Sequence, residues 1–278
     1  MLDDLDLATS LARDAAVVIL NERATARNAP KQKADDSPVT AADLAADAVI
    51  RAGLARARPD DLVVTEESYS GDRMPAGGRA WIVDPIDGTS DFVAGTADYV
   101  VQIALVEDGA ATVGVILQPE TGIIWRGVAR EGARRCERLN GDHVTPLALR
   151  ADDALPARPR FCISVSHPSA VVDFVTGELG ADVLGIGSVG LKIGAIVDGR
   201  ADAYVTGSRR IKVWDTAAPA AVFASVGGVL TNLSAKPLRY DGAVLHDDGV
   251  AALSLAARPL WPRIDEAVRR FRASAPAR

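Results

Sequence analysis

The spacing of apolar residues changes period twice along this chain, and those two changes limit the folds open to it more than any other feature. Leu5 to Arg23 sets Leu7, Leu11, Ala15, Val18 and Ile19 at helical spacing, and Asp43 to Arg56 repeats the pattern with Leu44, Ala48, Ile50 and Leu54. Two amphipathic helices therefore open the chain. Between them, Lys31 to Pro38 is polar and charged and is expected to be a mobile loop; Thr40 is placed to cap the second helix, with Asp43 at its third position. From Leu62 the period falls to two. Leu62 to Val64, Ala80 to Val83, Val100 to Val106, Ala111 to Leu117 and Thr121 to Val128 read as strands of an antiparallel meander, turned at Glu107-Asp108-Gly109 and Pro119-Glu120-Thr121-Gly122.

A linker rich in Pro, Arg and Asp, about Leu149 to Arg160, precedes the second change. Strands at Phe161 to Val165, Val183 to Ile186 and Ala201 to Thr206 then alternate with helices at Ser169 to Leu179, Val189 to Val197 and Trp214 to Val226. Strands near Gly228 to Asn232 and Ala243 to Leu245 and a terminal helix from about Gly249 to Arg272 complete the expectation. The order predicts an α/β protein with an α+β N-terminal half, residues 1–150, and an α/β C-terminal half, residues 151–278.

A chain of 278 residues, 48% hydrophobic, can bury a large core without staples. Its net charge of -6, with Lys and Arg scattered, gives no footprint for a nucleic-acid polymer. Two cysteines, Cys136 and Cys162, form neither a disulfide framework nor a zinc motif. No apolar run approaches the roughly 20 residues that span a bilayer, and the start Met1-Leu2-Asp3-Asp4 is unlike a signal peptide, so a cytoplasmic protein without a membrane partner is expected.

The most informative stretch is Trp81-Ile82-Val83-Asp84-Pro85-Ile86-Asp87-Gly88-Thr89. An apolar strand delivers Asp84 to its end, Pro85 stiffens the exit, and Asp87-Gly88-Thr89 turns into a helix start whose amides, at Gly88 and Thr89, can face an anion. Carboxylates beside an anion site make chemical sense when hard cations such as magnesium or manganese lie between them. One Asp-x-x-Asp alone reads first as an acidic turn capping a helix. Two further acidic segments accompany it: Glu66-Glu67 after the strand Val63-Val64-Thr65, and Asp215 in Trp214-Asp215-Thr216-Ala217-Ala218 at another helix start.

Together with Thr40-Ala41-Ala42-Asp43, these segments resemble the inositol monophosphatase superfamily, marked by a Glu-Glu pair after a strand, Asp-Pro-hydrophobic-Asp-Gly-Thr, and Trp-Asp-x-Ala-Ala. The resemblance runs from about Leu5 to the terminal helix. It implies a layered αβαβα sandwich, usually a homodimer, and a phosphatase using two or three magnesium ions, for which manganese can substitute. By that resemblance Glu66, Asp84 and the carbonyl of Ile86 hold one ion, and Asp84, Asp87 and Asp215 hold a second. Asp43 accepts from the Thr89 hydroxyl, which orients the attacking water, so Asp43, Thr89 and Glu66 carry the catalysis. A covalent aspartyl-phosphate route is disfavoured, because its nucleophile's position, two residues before Asp87, is Pro85.

The branch rests on fewer residues. Gly187-Ser188-Val189-Gly190-Leu191-Lys192 and Ser164-Val165-Ser166-His167 resemble segments of the 3'(2'),5'-bisphosphate nucleotidases, and Ser208 stands where the inositol enzymes usually carry an acid. The resemblance makes Asp87, Gly88, Thr89, Ser188, Lys192, His167 and Arg209 substrate contacts. The expected substrate is a small soluble phosphate ester, 3'-phosphoadenosine 5'-phosphate. Inositol monophosphate or a fructose bisphosphate is the alternative within the superfamily, and a non-catalytic protein binding a phosphorylated metabolite is the alternative outside it.

Overall fold

The computed structural model describes residues 3–24, 31–32, 38–74 and 76–274, with Lys31, Gln32 and Pro38 described by backbone alone. The N-terminal helices are α1 (Asp4–Ala24) and α2 (Ala41–Ala57), separated by the short paired strands β1 (Lys31–Gln32) and β2 (Pro38–Val39). The expected loop thus has a backbone pairing at its ends, while residues 33–37, including Ser37, lie outside the described residues. Thr40 caps α2 and the Asp43 carboxylate returns to the Thr40 amide at 2.8 Å, so both ends of the sequence signature are used.

A seven-stranded sheet follows, in the order β3 (Leu62–Thr65), β4 (Arg79–Asp87), β5 (Val100–Glu107), β6 (Ala110–Gln118), β7 (Ile123–Arg130), β8 (Ala133–Asn140) and β9 (His143–Pro146). A short helix, α3 (Thr89–Val93), leaves the end of β4. Beyond the linker come β10 (Arg160–Ile163), α4 (Ala170–Leu179), β11 (Asp182–Gly185), α5 (Val189–Val197), β12 (Ala203–Thr206), α6 (Val213–Ser225), β13 (Val250–Leu253) and α7 (Trp261–Ser274). Their strands form a second sheet in the order β11-β10-β12-β13.

Three buried clusters show why these elements stack in five layers. Period-two alternation sends Trp81, Val83, Ile103, Leu105 and Val115 into a core under α1 and α2, and sends Ile82, Ala104, Val106 and Ile116 to the opposite face, against α5 and α6. The second sheet closes over α5 and packs its outer face on α4 and α7, burying Phe161, Val175, Ala203, Val205 and Ile264. The order is αβαβα. The central helices belong to the later part of the chain but share one core with the first sheet, so the linker divides the sequence without dividing that core. Gly114 on β6 permits a close approach, because a Cβ there would lie 2.4 Å from the Ala218 carbonyl oxygen of α6.

Three expectations need correction. The meander is longer by β8, whose Arg- and Glu-rich sequence hides the alternation, and by the short β9, and β3 runs parallel to β4. Gly228 to Asn232 and Ala243 to Leu245 make single bridges, at Thr231, Ala243 and Leu245, and no strand. The terminal helix begins at Trp261, after a short 3-10 turn; Val250–Leu253, assigned above to that helix, is a strand paired antiparallel to Ala203–Thr206, entered through Gly249 at φ 69°.

Candidate active site

The end of β4 carries the decisive local feature. Asp84 pairs with Gln102 and Asp87 with Val100, so β4 has one residue more than β5 across this step. On a regular strand, residues three apart face opposite sides; a one-residue bulge turns both carboxylates to the side of the sheet that meets α5 and α6. Pro85 suits a bulge because it has no ladder amide to lose. Gly88 then takes φ 101°, where a Cβ would meet the Asp98 carbonyl oxygen at 2.8 Å, and starts α3 at Thr89.

Asp215 arrives from the opposite direction, at the first turn of α6, where its Oδ2 accepts the Lys212 amide at 2.7 Å. One carboxylate oxygen from each of Asp84, Asp87 and Asp215 lies within 4.8 Å of the others, an arrangement that could hold a metal ion. Glu66, from the turn after β3, lines the same cleft of about 510 Å³. Burial, then repulsion from Asp87 and Glu66, pushes Asp215 well above the usual carboxylate range. Burial also raises Asp87, against the opposing pull of its hydrogen bonds and of Lys192. Anions packed this closely and pushed toward neutrality form a donor set that a hard divalent cation fits, since a cation removes the repulsion that raises them.

Four donors hold Asp87. Its Oδ2 accepts from Ser188 Oγ at 2.6 Å, Gln102 Nε2 at 2.7 Å, and the amides of Val189 and Gly190 at 2.8 and 3.1 Å, placing it over the N-terminus of α5. Among the described residues, Ser188 therefore holds a carboxylate of the cluster. Lys192 lines the cleft but is only 2% exposed, donating to the carbonyls of Gly187 and Ser188 at 3.0 and 2.8 Å with its ammonium over the Tyr204 ring. Its hydrogen bonds fix the turn that presents Ser188 to Asp87.

Thr89 Oγ1 lies 3.1 Å from both Asp43 Oδ1 and the Ile86 carbonyl, with one proton to give. Asp43 sits behind it, 1% exposed, and burial raises its carboxyl above the usual range against the hydrogen bonds from Thr40 and Thr89. The far wall of the cleft is cationic. Arg209, Arg210 and Lys212 line it, with exposed His167 at the edge from the loop after β10. Ser166 in that loop donates to both oxygens of Asp91 on α3, at 3.0 and 2.8 Å, tying the two sheets together across the mouth.

Sequence reading missed Gln102 and Tyr204. Gln102 had a signal, a polar side chain inside the apolar run of β5; Tyr204, which lines the cleft beneath Lys192, did not. Of the two tryptophans flanking the acids, Trp214 lines the cleft and Trp81 faces away, donating to Asp61 at 2.9 Å in the core under α1. His246 is buried and pushed down to about 4 by burial, and it bonds Thr216 Oγ1 at 2.8 Å beneath the start of α6. Cys136 and Cys162 are buried free thiols, raised to about 11 and about 12 by burial, unsuited to nucleophilic attack.

The chain matches the Inositol monophosphatase family over residues 2–270. It is 35% identical over 239 residues to the 3'(2'),5'-bisphosphate nucleotidase CysQ of Escherichia coli (strain K12), covering 85% of this chain and 93% of that protein. It is 33% identical over 242 residues to the 3'-phosphoadenosine 5'-phosphate phosphatase of Mycobacterium leprae, covering 86% of this chain and 85% of the relative. Among solved structures, Thermotoga maritima IMPase shares the fold at a TM-score of 0.77 and 22% identity, over 97% of this chain and 100% of its own. With the acidic cluster and its cleft formed by segments that all fall within the matched range, the chain belongs to the inositol monophosphatase family.

Proposed function

We propose that this phosphatase is a magnesium-dependent 3'(2'),5'-bisphosphate nucleotidase that converts 3'-phosphoadenosine 5'-phosphate and water to AMP and phosphate. The observation that carries the reading is the meeting of Asp84, Asp87 and Asp215 within 4.8 Å at the floor of a cleft walled by Arg209, Arg210 and Lys212. Acids suit cations that grip the scissile phosphate; the basic wall suits a substrate with a second phosphate. Ser208 supports the same choice, because it leaves that wall without the acid a polyol would need.

In this reading Glu66, Asp84 and the Ile86 carbonyl would hold one magnesium ion, and Asp84, Asp87 and Asp215 another; a third ion, or manganese in place of magnesium, would be held by the same kind of oxygen donors. Ions held there would polarise the phosphoryl group, favour a nucleophilic water at neutral pH and stabilise the departing oxygen. The chain's own residues do the positioning. Thr89 gives its proton to Asp43 Oδ1, so its lone pairs face the cleft and accept a hydrogen from the attacking water. The amides of Gly88 and Thr89, at the open start of α3, face the transferred phosphate. Lys192 acts from beneath, its charge close to the substrate and its hydrogen bonds holding Ser188. We further propose a homodimeric, cytoplasmic enzyme, in keeping with the family resemblance.

Phosphate release from the nucleotide and from inositol 1-phosphate, each with magnesium, tests the proposal. Turnover of the nucleotide at least about a hundredfold faster, in kcat/KM, is the expected outcome, a difference of about 3 kcal/mol in transition-state binding. Preference for the inositol ester would overturn the substrate assignment. Nucleotide binding with no phosphate released from either compound would make this a binding protein.

A further inference from the structure

Gln102 is fully buried on β5, facing α6, and its Nε2 reaches two acceptors: Asp87 Oδ2 at 2.7 Å and the main-chain oxygen of Asp215 at 3.3 Å. Because both partners only accept, the amide has one admissible orientation. That orientation leaves Gln102 Oε1 buried with no hydrogen-bond partner among the described residues. An orphaned buried acceptor costs stability. Leucine would fill the same space among Val100, Ala104 and Val106 without it, so the polar side chain answers to something other than the core.

The Asp215 carbonyl explains what. In an α-helix it would accept from the amide four residues on, and in α6 that residue is Pro219, which has no N–H and whose ring crowds the carbonyl outward. Gln102, from the neighbouring sheet, supplies a donor at that oxygen. The same NH2 group also holds the Asp87 carboxylate, so one side chain braces two acidic residues that arrive from different layers of the fold.

Building on the metal assignment above, we propose that Gln102 is a positioning residue: it fixes the spacing of Asp87 and Asp215 across the sheet–helix junction by replacing the main-chain donor that Pro219 removes from α6. It touches neither ion nor substrate. Its effect is to pre-organise two ligands that would otherwise repel each other apart.

The test is calorimetric titration of Mn2+ into the full chain for the wild type, Q102L, P219A and the double variant, with the melting temperature of each metal-free protein measured alongside. Q102L is expected to weaken Mn2+ binding about tenfold, equivalent to about 1.4 kcal/mol, with no matching fall in metal-free melting temperature. P219A restores an amide at position 219, so in the Q102L background it should recover part of the lost affinity, while alone it should change affinity little. Wild-type affinity in Q102L would overturn the proposal, as would a loss that tracks the melting temperature and that P219A does not relieve. D87N, titrated in parallel, separates the two levels. If D87N binds Mn2+ as the wild type does, the metal assignment itself fails; if D87N loses binding and Q102L keeps it, this inference alone fails.

Discussion

Asp87→Asn is expected to lower turnover at least about a thousandfold, about 4 kcal/mol of transition-state stabilisation, while the protein still folds. The geometry gives the reason. Asp87 Oδ2 is fully engaged by Gln102, Ser188 and two amides at the start of α5, all of them donors. An asparagine keeps those bonds only by turning its carbonyl oxygen to the four donors, which aims its NH2 group at the place where Asp84 and Asp215 converge. A donor there repels a cation. Stability should move in the opposite direction from activity: burial raises Asp87, so at neutral pH the ionised carboxylate costs the folded state free energy that the neutral amide does not. Thermal melting of the metal-free variant at or above the wild-type temperature, with activity lost, is the combined expectation, and an unchanged kcat would remove Asp87 from the site.

Asp43→Asn should cost about a hundredfold to ten-thousandfold in kcat, the usual range for a lost acid–base partner, with little change in KM. Thr40 donates to Asp43 Oδ2 through both its amide and its hydroxyl, at 2.8 and 2.6 Å, so the asparagine oxygen must stay there to keep α2 capped. Its NH2 group then faces Thr89, so that hydroxyl accepts on that side and its proton turns to the Ile86 carbonyl, 3.1 Å away, or to the water it should orient. The pH dependence follows from the raised carboxyl of Asp43. Activity needs the ionised form, so kcat should rise with pH on the acid side, at a higher pH than a solvated aspartate would give, and that limb should flatten in the variant. The stability term has the opposite sign. A carboxyl raised in the folded state stabilises fully below its unfolded value and loses that contribution as pH rises through the folded value, so Asp43→Asn should melt no lower than wild type at neutral pH. A variant with full kcat and an unaltered pH profile would leave Asp43 as a helix cap alone.

Much of the fold was legible because the chain uses the two periods cleanly: α5 begins and ends where its apolar spacing says, and the alternation in β4 to β7 sorts side chains between two cores. What failed did so for physical reasons. Val250-Ala-Ala-Leu is short and apolar throughout, so only its partner β12 marks it as a strand. The arginines and glutamates of β8 mask its alternation because that strand lies near the edge of the sheet, where both faces tolerate charge. In the site, spacing and resemblance pointed to the acids and to Thr89, but roles that depend on what a neighbour lacks were out of reach. Lys192 suggested a phosphate contact, and the sequence did not show that two of its three donors also hold the carbonyls of Gly187 and Ser188. Gln102 matters because Pro219, over a hundred residues away, cannot donate, and no local pattern encodes that.

The convergence of the acids on cations is most directly tested by growing crystals with Mn2+ and calculating an anomalous difference map. The expected result is peaks coordinated by Asp84, Asp87 and Asp215, with Glu66 and the Ile86 carbonyl on a neighbouring ion. A fully occupied Mn2+ held elsewhere, with these carboxylates bound only to water and to one another, would contradict it.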